Sequence, residues 1–330
     1  MSQSVGATPE RPVIGSGEFS YEWHDEWAVV PARDRQIAGT DGFQRGARTH
    51  GIIFDRESRV VVLNAGDPAV LVFDQSGSCR ASWGTDWSRG AHGLTLVEES
   101  SEQCLWITEY IAGIVARTTM DGVVVQTLAR PPLPVYEAGG RWAPTWVAVD
   151  EKRFGGSGDV WVADGYGSSL VHRYSAAGEY RQTLDGSTGA GRFACPHGLV
   201  IDRRRPGPEL YISDRTNRRV QVFDLEGRFK RAIGAGTSVC SFHVADGVMF
   251  LAEAPYRARV TLLDENDTEI TSLAVNDEVC TAPGFPNDRG NLRPSKFNSP
   301  HAVTTDRHGN LFVAEWITGG RITKLARLRR

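Results

Sequence analysis

A chain of 330 residues, 40% apolar and 23% charged, has the make-up of a globular protein long enough to bury a sizeable core. Its formal charge of −3 argues against nucleic acid or an anionic membrane surface as partner, and no apolar run approaches the length that crosses a bilayer. The 36 glycines and 9 tryptophans suit a fold of many tight turns between aromatic-rich sheets.

The opening stretch, "MSQSVGATPERPVIGSGEF", lacks the basic start and apolar segment of a secretory leader. Residues 1–16 are therefore expected to be a disordered N-terminal arm, and the protein to be cytoplasmic. The cysteines at 79, 104, 195, 240 and 280 are odd in number and have no short paired spacing, which fits reduced thiols. A strand-like piece, "EFSYEWHDEWAVV", follows the arm with no obvious local partner.

From there one unit recurs six times: a short apolar run, a turn, a second run ending in Asn, Asp or Glu, then two more runs separated by turns. The second runs are the clearest: "VVVLN" to Asn64, "LWITE" to Glu109, "VWVAD" to Asp164, "LYISD" to Asp214, "MFLAE" to Glu253 and "LFVAE" to Glu315. They are rich in β-branched residues, bounded by turn formers, and show no helical period. Six four-stranded units predict an all-β fold, a six-bladed β-propeller forming one domain over residues 17–330. The last unit stops after its third run. Pairing "EFSYEWHDEWAVV" as the outer strand of that blade closes the ring and removes its exposed edges.

In an antiparallel blade, the start of the first strand and the end of the second share a face, and the innermost strands line the central channel. At those entrances stand His50, His92, Trp146, His197, a residue near Val239, and His301. Blades two, four and six thus offer His92, His197 and His301 a third of a turn apart. Three converging imidazoles suit a divalent ion with one position open to water or a small-molecule substrate. Zinc is expected, one ion per chain, and copper or iron would fit the same donors. A single histidine at a strand start commonly caps backbone groups; three on alternate blades favour a metal.

His50 is a candidate additional ligand or substrate contact. Glu109 and Glu315, ending the second strands of two metal blades, are candidate acid, base or orienting groups, although an acid recurs there in five blades and suits bonding of loop N–H groups. His24, His172 and His308 are expected to face solvent, and Cys195 to be a small buried filler. Three long connections, "LARPPLPVYEAGGRWAP", "DGSTGAGRFACP" and "CTAPGFPNDRGNLRPSKFNSP", overhang the face. They offer Tyr136, Trp142, Phe193, Phe285, Phe297 and several arginines as specificity elements.

The motifs "AHG" and "PHG" at the entrances, "VWVADGYGSSLVHRYSAAGEY", "CPHGLVID…LYISDRTNRRVQVF" and "SPHAV" resemble NHL-type repeats. Over roughly residues 45–325 the whole ring resembles the peptidyl-α-hydroxyglycine α-amidating lyase family. The resemblance implies zinc bound by His92, His197 and His301, Tyr166 of the "DGY" motif as general base, and Arg215 of "DRTN" beside it. It further implies cleavage of a carbinolamide C–N bond.

Three positions depart from the family pattern. Ala65 stands where the family binds its substrate's carboxylate with arginine, Ala302 where an acid serves a structural calcium, and Gly167 where a cysteine forms a disulfide. Calcium is therefore not expected, and the substrate is expected to be a small hydroxylated or carbinolamide-like molecule of specialised metabolism. Two other functions remain compatible: a metal-dependent hydrolase, lactonase or cyclase on the same histidines, and a non-catalytic propeller that binds a protein or glycan. The sequence sets no oligomeric state.

Overall fold

Runs of valine, isoleucine and leucine cut by turn residues become six antiparallel sheets in the computed structural model, which describes residues 11–31, 47–87, 89–99 and 101–328. Each blade is a sheet whose first strand is innermost. In blade order these strands are Thr49–Phe54, Ala91–Glu99, Trp146–Val149, Pro196–Asp202, Val239–Ala245 and Pro300–Thr305. Each pairs with a second strand: Val60–Asn64, Glu102–Glu109, Val160–Asp164, Glu209–Asp214, Val248–Glu253 and Leu311–Glu315. Neighbouring first strands touch all the way round, the sixth against the first.

The ring closes as the unpaired N-terminal piece foretells. Tyr21–Ala28 lies antiparallel on Arg321–Arg327, placing Trp23 opposite Leu325 in the outer part of blade six. Val13–Ile14 then adds outside it, so pairing begins within the stretch read as an arm up to residue 16. Residues 1–10 of that arm lie outside the described residues. Trp23 is buried, packs 5.2 Å from Phe297, and lies under the Arg321 guanidinium at 5.2 Å. Arg321 in turn pairs with Glu315 at 3.0 Å and Asp25 at 2.8 Å, tying both ends of the chain into one blade.

The apolar core sits between blades. One cluster joins Val61, Leu63 and Val70 of blade one to Leu94, Leu105 and Ile107 of blade two. Another joins Tyr211 and Val222 of blade four to Met249 and Leu251 of blade five. Second strands lie between two neighbours and are buried along their whole length in blades one and three, whereas the outer strand Cys79–Trp83 is largely exposed. Each blade can therefore bury its faces only against the next, and the ring must close to be stable.

Along the axis, Trp146 separates two regions. Its ring centroid lies 6.5 Å from that of His92 and 6.4 Å from that of His301. On its other side a channel cavity of about 680 Å³ is lined by Leu96, Val147, Ile201, Val244 and Thr304, and none of the four entrance histidines lines it. The entrance histidines thus lie at one end of the channel.

Because ring closure rests on a buried aromatic, Trp23→Ala is expected to lower stability by about 3–5 kcal/mol, as large-to-small core changes do. Urea unfolding followed by tryptophan fluorescence measures it; an unchanged midpoint would contradict this account of closure.

Candidate metal centre

The site is built by one repeated irregularity. In blade one Thr49 pairs with Asn64 and Gly51 with Leu63, leaving His50 as an extra residue. Blade six repeats this with Pro300–Glu315 and Ala302–Ala314 around His301, and blade five with Val239–Glu253 and Ser241–Ala252 around Cys240. The pairings of blades two and four shift likewise across His92 and His197. A bulge of this kind re-aims one side chain without ending the strand. In blade three Trp146 pairs regularly with Ala163, so the equivalent place belongs to Thr145, not to Trp146 as the sequence spacing suggests. The entrance read only as near Val239 is Cys240.

These six positions alternate between two jobs. In blades two, four and six the histidine Nδ1 faces the main-chain carbonyl of the bulge residue in the next blade. His92 reaches Thr145 O at 2.9 Å, His197 reaches Cys240 O at 2.8 Å, and His301 reaches His50 O at 2.8 Å. A carbonyl only accepts, so each Nδ1 carries the proton and each Nε2 keeps a lone pair. Close approach of the blades also explains the glycine after the histidine. A Cβ on Gly93 would lie 2.3 Å from Thr145 O, and one on Gly198 2.5 Å from Cys240 O.

The three rings lie close together, with centroids 4.7 Å apart for His92–His197, 4.8 Å for His92–His301 and 5.0 Å for His197–His301. His50 joins them at 4.9 Å from both His92 and His301. Ligand atoms of His50, His92 and His301 all lie within 4.8 Å of one another, as do those of His197, Cys240 and His301.

The Tyr166 hydroxyl sits 3.1 Å from His92 Nε2 and 3.0 Å from His197 Nε2. Its single proton can satisfy only one of these lone pairs at a time. His301 Nε2 and His50 Nδ1 are buried with no hydrogen-bond partner among the described residues. Buried acceptors are almost always satisfied, so this surplus of inward lone pairs fits a cation. The donors fit zinc: imidazoles with Nδ1 locked on a carbonyl are the usual oriented ligands of that ion.

Burial pushes all four entrance histidines down; His301 falls to about 3, and the others well below the ordinary value. They are neutral near pH 7, the form that binds metal. Arg215 is drawn over Tyr166, its carbon 5.5 Å from the ring centre and Nη2 3.5 Å from the hydroxyl. It does not pair with Asp214, which instead holds Arg219 at 2.7 Å. Burial pushes the Tyr166 hydroxyl up, and the Arg215 charge pulls against that push.

The acids that end the second strands hold loops. Glu315 accepts from the Ser299 amide at 3.1 Å and pairs with Arg321, Asp164 accepts from Ala143 and Ser168, and Asp214 accepts from Ala194. Glu109 accepts from the amides of Ile111 and Ala112. These bonds fix the connections that lead into and out of the entrances.

His172 is buried rather than facing solvent. Its Nε2 is 2.8 Å from the Tyr136 hydroxyl, which is also 2.8 Å from Asp164. Tyr136, Phe193 and Phe297 from the long connections are likewise buried packing groups, not exposed specificity elements. Cys195 is partly buried, with Sγ 3.4 Å from Arg215 Nη2. Around the cluster stand Tyr110, 5.1 Å from the Tyr166 ring, and Trp316, 6.4 Å from that of His50, with Arg48 stacked on Trp316 at 4.9 Å.

No family model matches the chain. NHL repeat-containing protein 3 of Homo sapiens is 24% identical over 239 residues, covering 65% of this chain and 62% of that protein. Peptidyl-alpha-hydroxyglycine alpha-amidating lyase 1 of Drosophila melanogaster is 28% identical over 286 residues, covering 79% and 47%. The match spans less than two thirds of either relative's own length. A solved streptogramin B lyase superposes with a TM-score of 0.56 at 13% identity, covering 94% of this chain and 99% of that one, a likeness of fold alone. The chain is a six-bladed β-propeller whose low-identity homologues include NHL repeat proteins and amidating lyases.

The depressed histidines set a pH dependence. In the unfolded chain each takes up a proton near 6.5, whereas in the fold it stays neutral far below that, so the unfolded state binds more protons in acid. Stability of the metal-free protein is therefore complete above pH 6.5 and lost as pH falls, by about 1.4 kcal/mol per pH unit for each histidine. His172 and His243, held at about 3 and about 4, add to the slope. Urea midpoints measured from about pH 7 to pH 5 should fall steeply; a flat profile would contradict the buried neutral cluster.

Proposed function

We propose that the protein is a metal-dependent lyase of the amidating-lyase type, cleaving a C–N bond of a small carbinolamide-like substrate at the histidine end of the channel. The observation that carries this reading is the convergence of imidazole lone pairs on one phenol hydroxyl, with a half-buried guanidinium alongside. Relatives named as amidating lyases support it at 24–28% identity.

His92, His197 and His301, whose ring centroids lie 4.7–5.0 Å apart, would hold the ion, zinc by preference, with His50, whose ligand atom lies within 4.8 Å of those of His92 and His301, as an additional donor. When bound, such an ion polarises a hydroxyl oxygen and stabilises negative charge on it. Tyr166, as phenolate, accepts the proton of the substrate's α-hydroxyl. The oxygen's electron pair closes to a carbonyl, the C–N bond breaks, and its pair goes to nitrogen. Tyr166 then returns the proton to nitrogen, giving an amide and an aldehyde with no other reactant consumed. Burial outweighs the opposing Arg215 charge and holds the metal-free phenol protonated near pH 7; a cation held by the histidines beside it would supply the further positive charge that favours the phenolate. Desolvation strengthens the attraction between Arg215 and that phenolate.

Arg48 is the residue we assign to an anionic end of the substrate. Its carbonyl accepts from the Ala65 amide at 2.9 Å, so it neighbours the position that departs from the family pattern, and its guanidinium lies over Trp316. Burial lowers it to about 10, still charged near pH 7. A carboxylate there gains a strong charge-assisted partner.

Turnover of a small α-hydroxylated amide by the zinc-loaded protein, read as amide and aldehyde by mass spectrometry, tests the proposal. Tyr166→Phe is expected to lower kcat by about 10²–10⁴-fold, the usual worth of a general base, while metal content is kept. Undiminished turnover in that variant would contradict the role of Tyr166 and favour a hydrolytic mechanism that does not need the phenol.

A further inference from the structure

The three-histidine reading uses the side chains of blades two, four and six and leaves those of blades one, three and five, of which blade five carries a cysteine. Cys240 is the bulge residue there, in the position held by His50, His92, His197 and His301 in the other blades. In blade three the same place is held by Thr145, whose hydroxyl is committed to His197 O at 2.9 Å. Five of the six positions around the axis therefore carry side chains of metal-ligating type.

We propose that Cys240 is a sulfur ligand of the same ion, so that the centre is a mixed histidine–thiolate site rather than a purely histidine one. This rests on the metal reading of the preceding section. Three observations support it. Ligand atoms of His197, Cys240 and His301 all lie within 4.8 Å of one another. His301, only 2% exposed, has an Nε2 with no partner among the described residues, and its Nδ1 is already engaged by His50 O. The Cys240 backbone is fixed because its carbonyl receives His197 Nδ1 at 2.8 Å, and its side chain is 1% exposed.

A positive charge lies beside the sulfur. Arg215 Nη1 lies 3.7 Å from Cys240 Sγ, and Arg215 takes part in no ion pair among the described residues. Its two terminal nitrogens face the Tyr166 hydroxyl and the Cys240 sulfur, so the one charge serves both. At present the thiol donates to Ala254 O at 3.2 Å. On ligation that proton is released to solvent, as metal binding by cysteine requires. A nitrogen and sulfur donor set selects zinc, cobalt(II) or copper(I) over magnesium and calcium. Zinc sites also expand to five donors, so the sulfur does not close the centre to substrate.

Cobalt(II), added to the metal-free full chain, provides the test because a sulfur ligand gives an intense near-ultraviolet charge-transfer band that imidazoles do not. The wild-type protein should show this band, Cys240→Ser should lose it while keeping the weaker visible bands, and Cys195→Ser should keep it. Cobalt affinity should fall by about 10- to 100-fold or more in Cys240→Ser, at least the loss seen when even a supporting group is removed. Visible bands without the charge-transfer band in wild type would overturn the sulfur ligand and leave the histidine site standing. A band that survives Cys240→Ser and disappears in Cys195→Ser would overturn it in favour of Cys195. No cobalt binding at all would overturn both readings. Should Cys240→Ser not fold, the wild-type and Cys195→Ser spectra decide between the same outcomes.

Discussion

The hydrogen bond from a histidine Nδ1 to the bulge carbonyl of the next blade is the contact on which the rest of the site depends. It occurs three times, at His92, His197 and His301, and each time it crosses a blade boundary. It sets the tautomer and turns the lone pair of Nε2 toward the axis; in two of the three places the blades approach so closely that Gly93 and Gly198 have no room for a side chain, whereas Ala302 keeps one after His301. The bond exists only when the ring is closed in register, because donor and acceptor belong to different sheets. Fold and site are therefore coupled: the packing that stabilises each blade against the next also orients the donors.

Much of this was legible in the sequence because it repeats. Six runs ending in Asn64, Glu109, Asp164, Asp214, Glu253 and Glu315 announce six blades, and the leftover strand-like piece before residue 30 announces how the ring closes. The recurring acids turn out to anchor the connecting loops, a need every blade shares, which is why their number exceeds what any chemistry would use. What escaped depends on strand register. The place of Cys240 appears only when Val239 is seen opposite Glu253 and Ser241 opposite Ala252, and a lone cysteine in "SVCSF" carries no such signal. Trp146 was off by one position for the same reason: spacing cannot tell a bulged strand from a regular one. His172 read as exposed because its strand is third in its blade, yet that strand is covered by Tyr136 from a long connection.

The electrostatics of the centre suit a cation. Four neutral imidazoles, a phenol and two thiols surround one guanidinium, with inward lone pairs outnumbering the protons available to them. A divalent cation would match these lone pairs, and at this point it would lie where the proposed reaction removes a proton from a substrate hydroxyl. The half of the channel beyond Trp146 is mainly apolar and holds none of the four entrance histidines. The imidazoles gather at one mouth of the ring, and the bulges that re-aim five of the six strand starts place them there.

Metal content of the freshly purified protein tests the central claim most directly. Elemental analysis should find close to one equivalent of zinc, or of another transition ion, bound to the wild-type chain and lost from a folded His301→Ala variant. A folded wild-type protein that holds no such metal, even after incubation with zinc and removal of the excess, would contradict it. In that event the converging histidines would be packing groups at the hub of a scaffold.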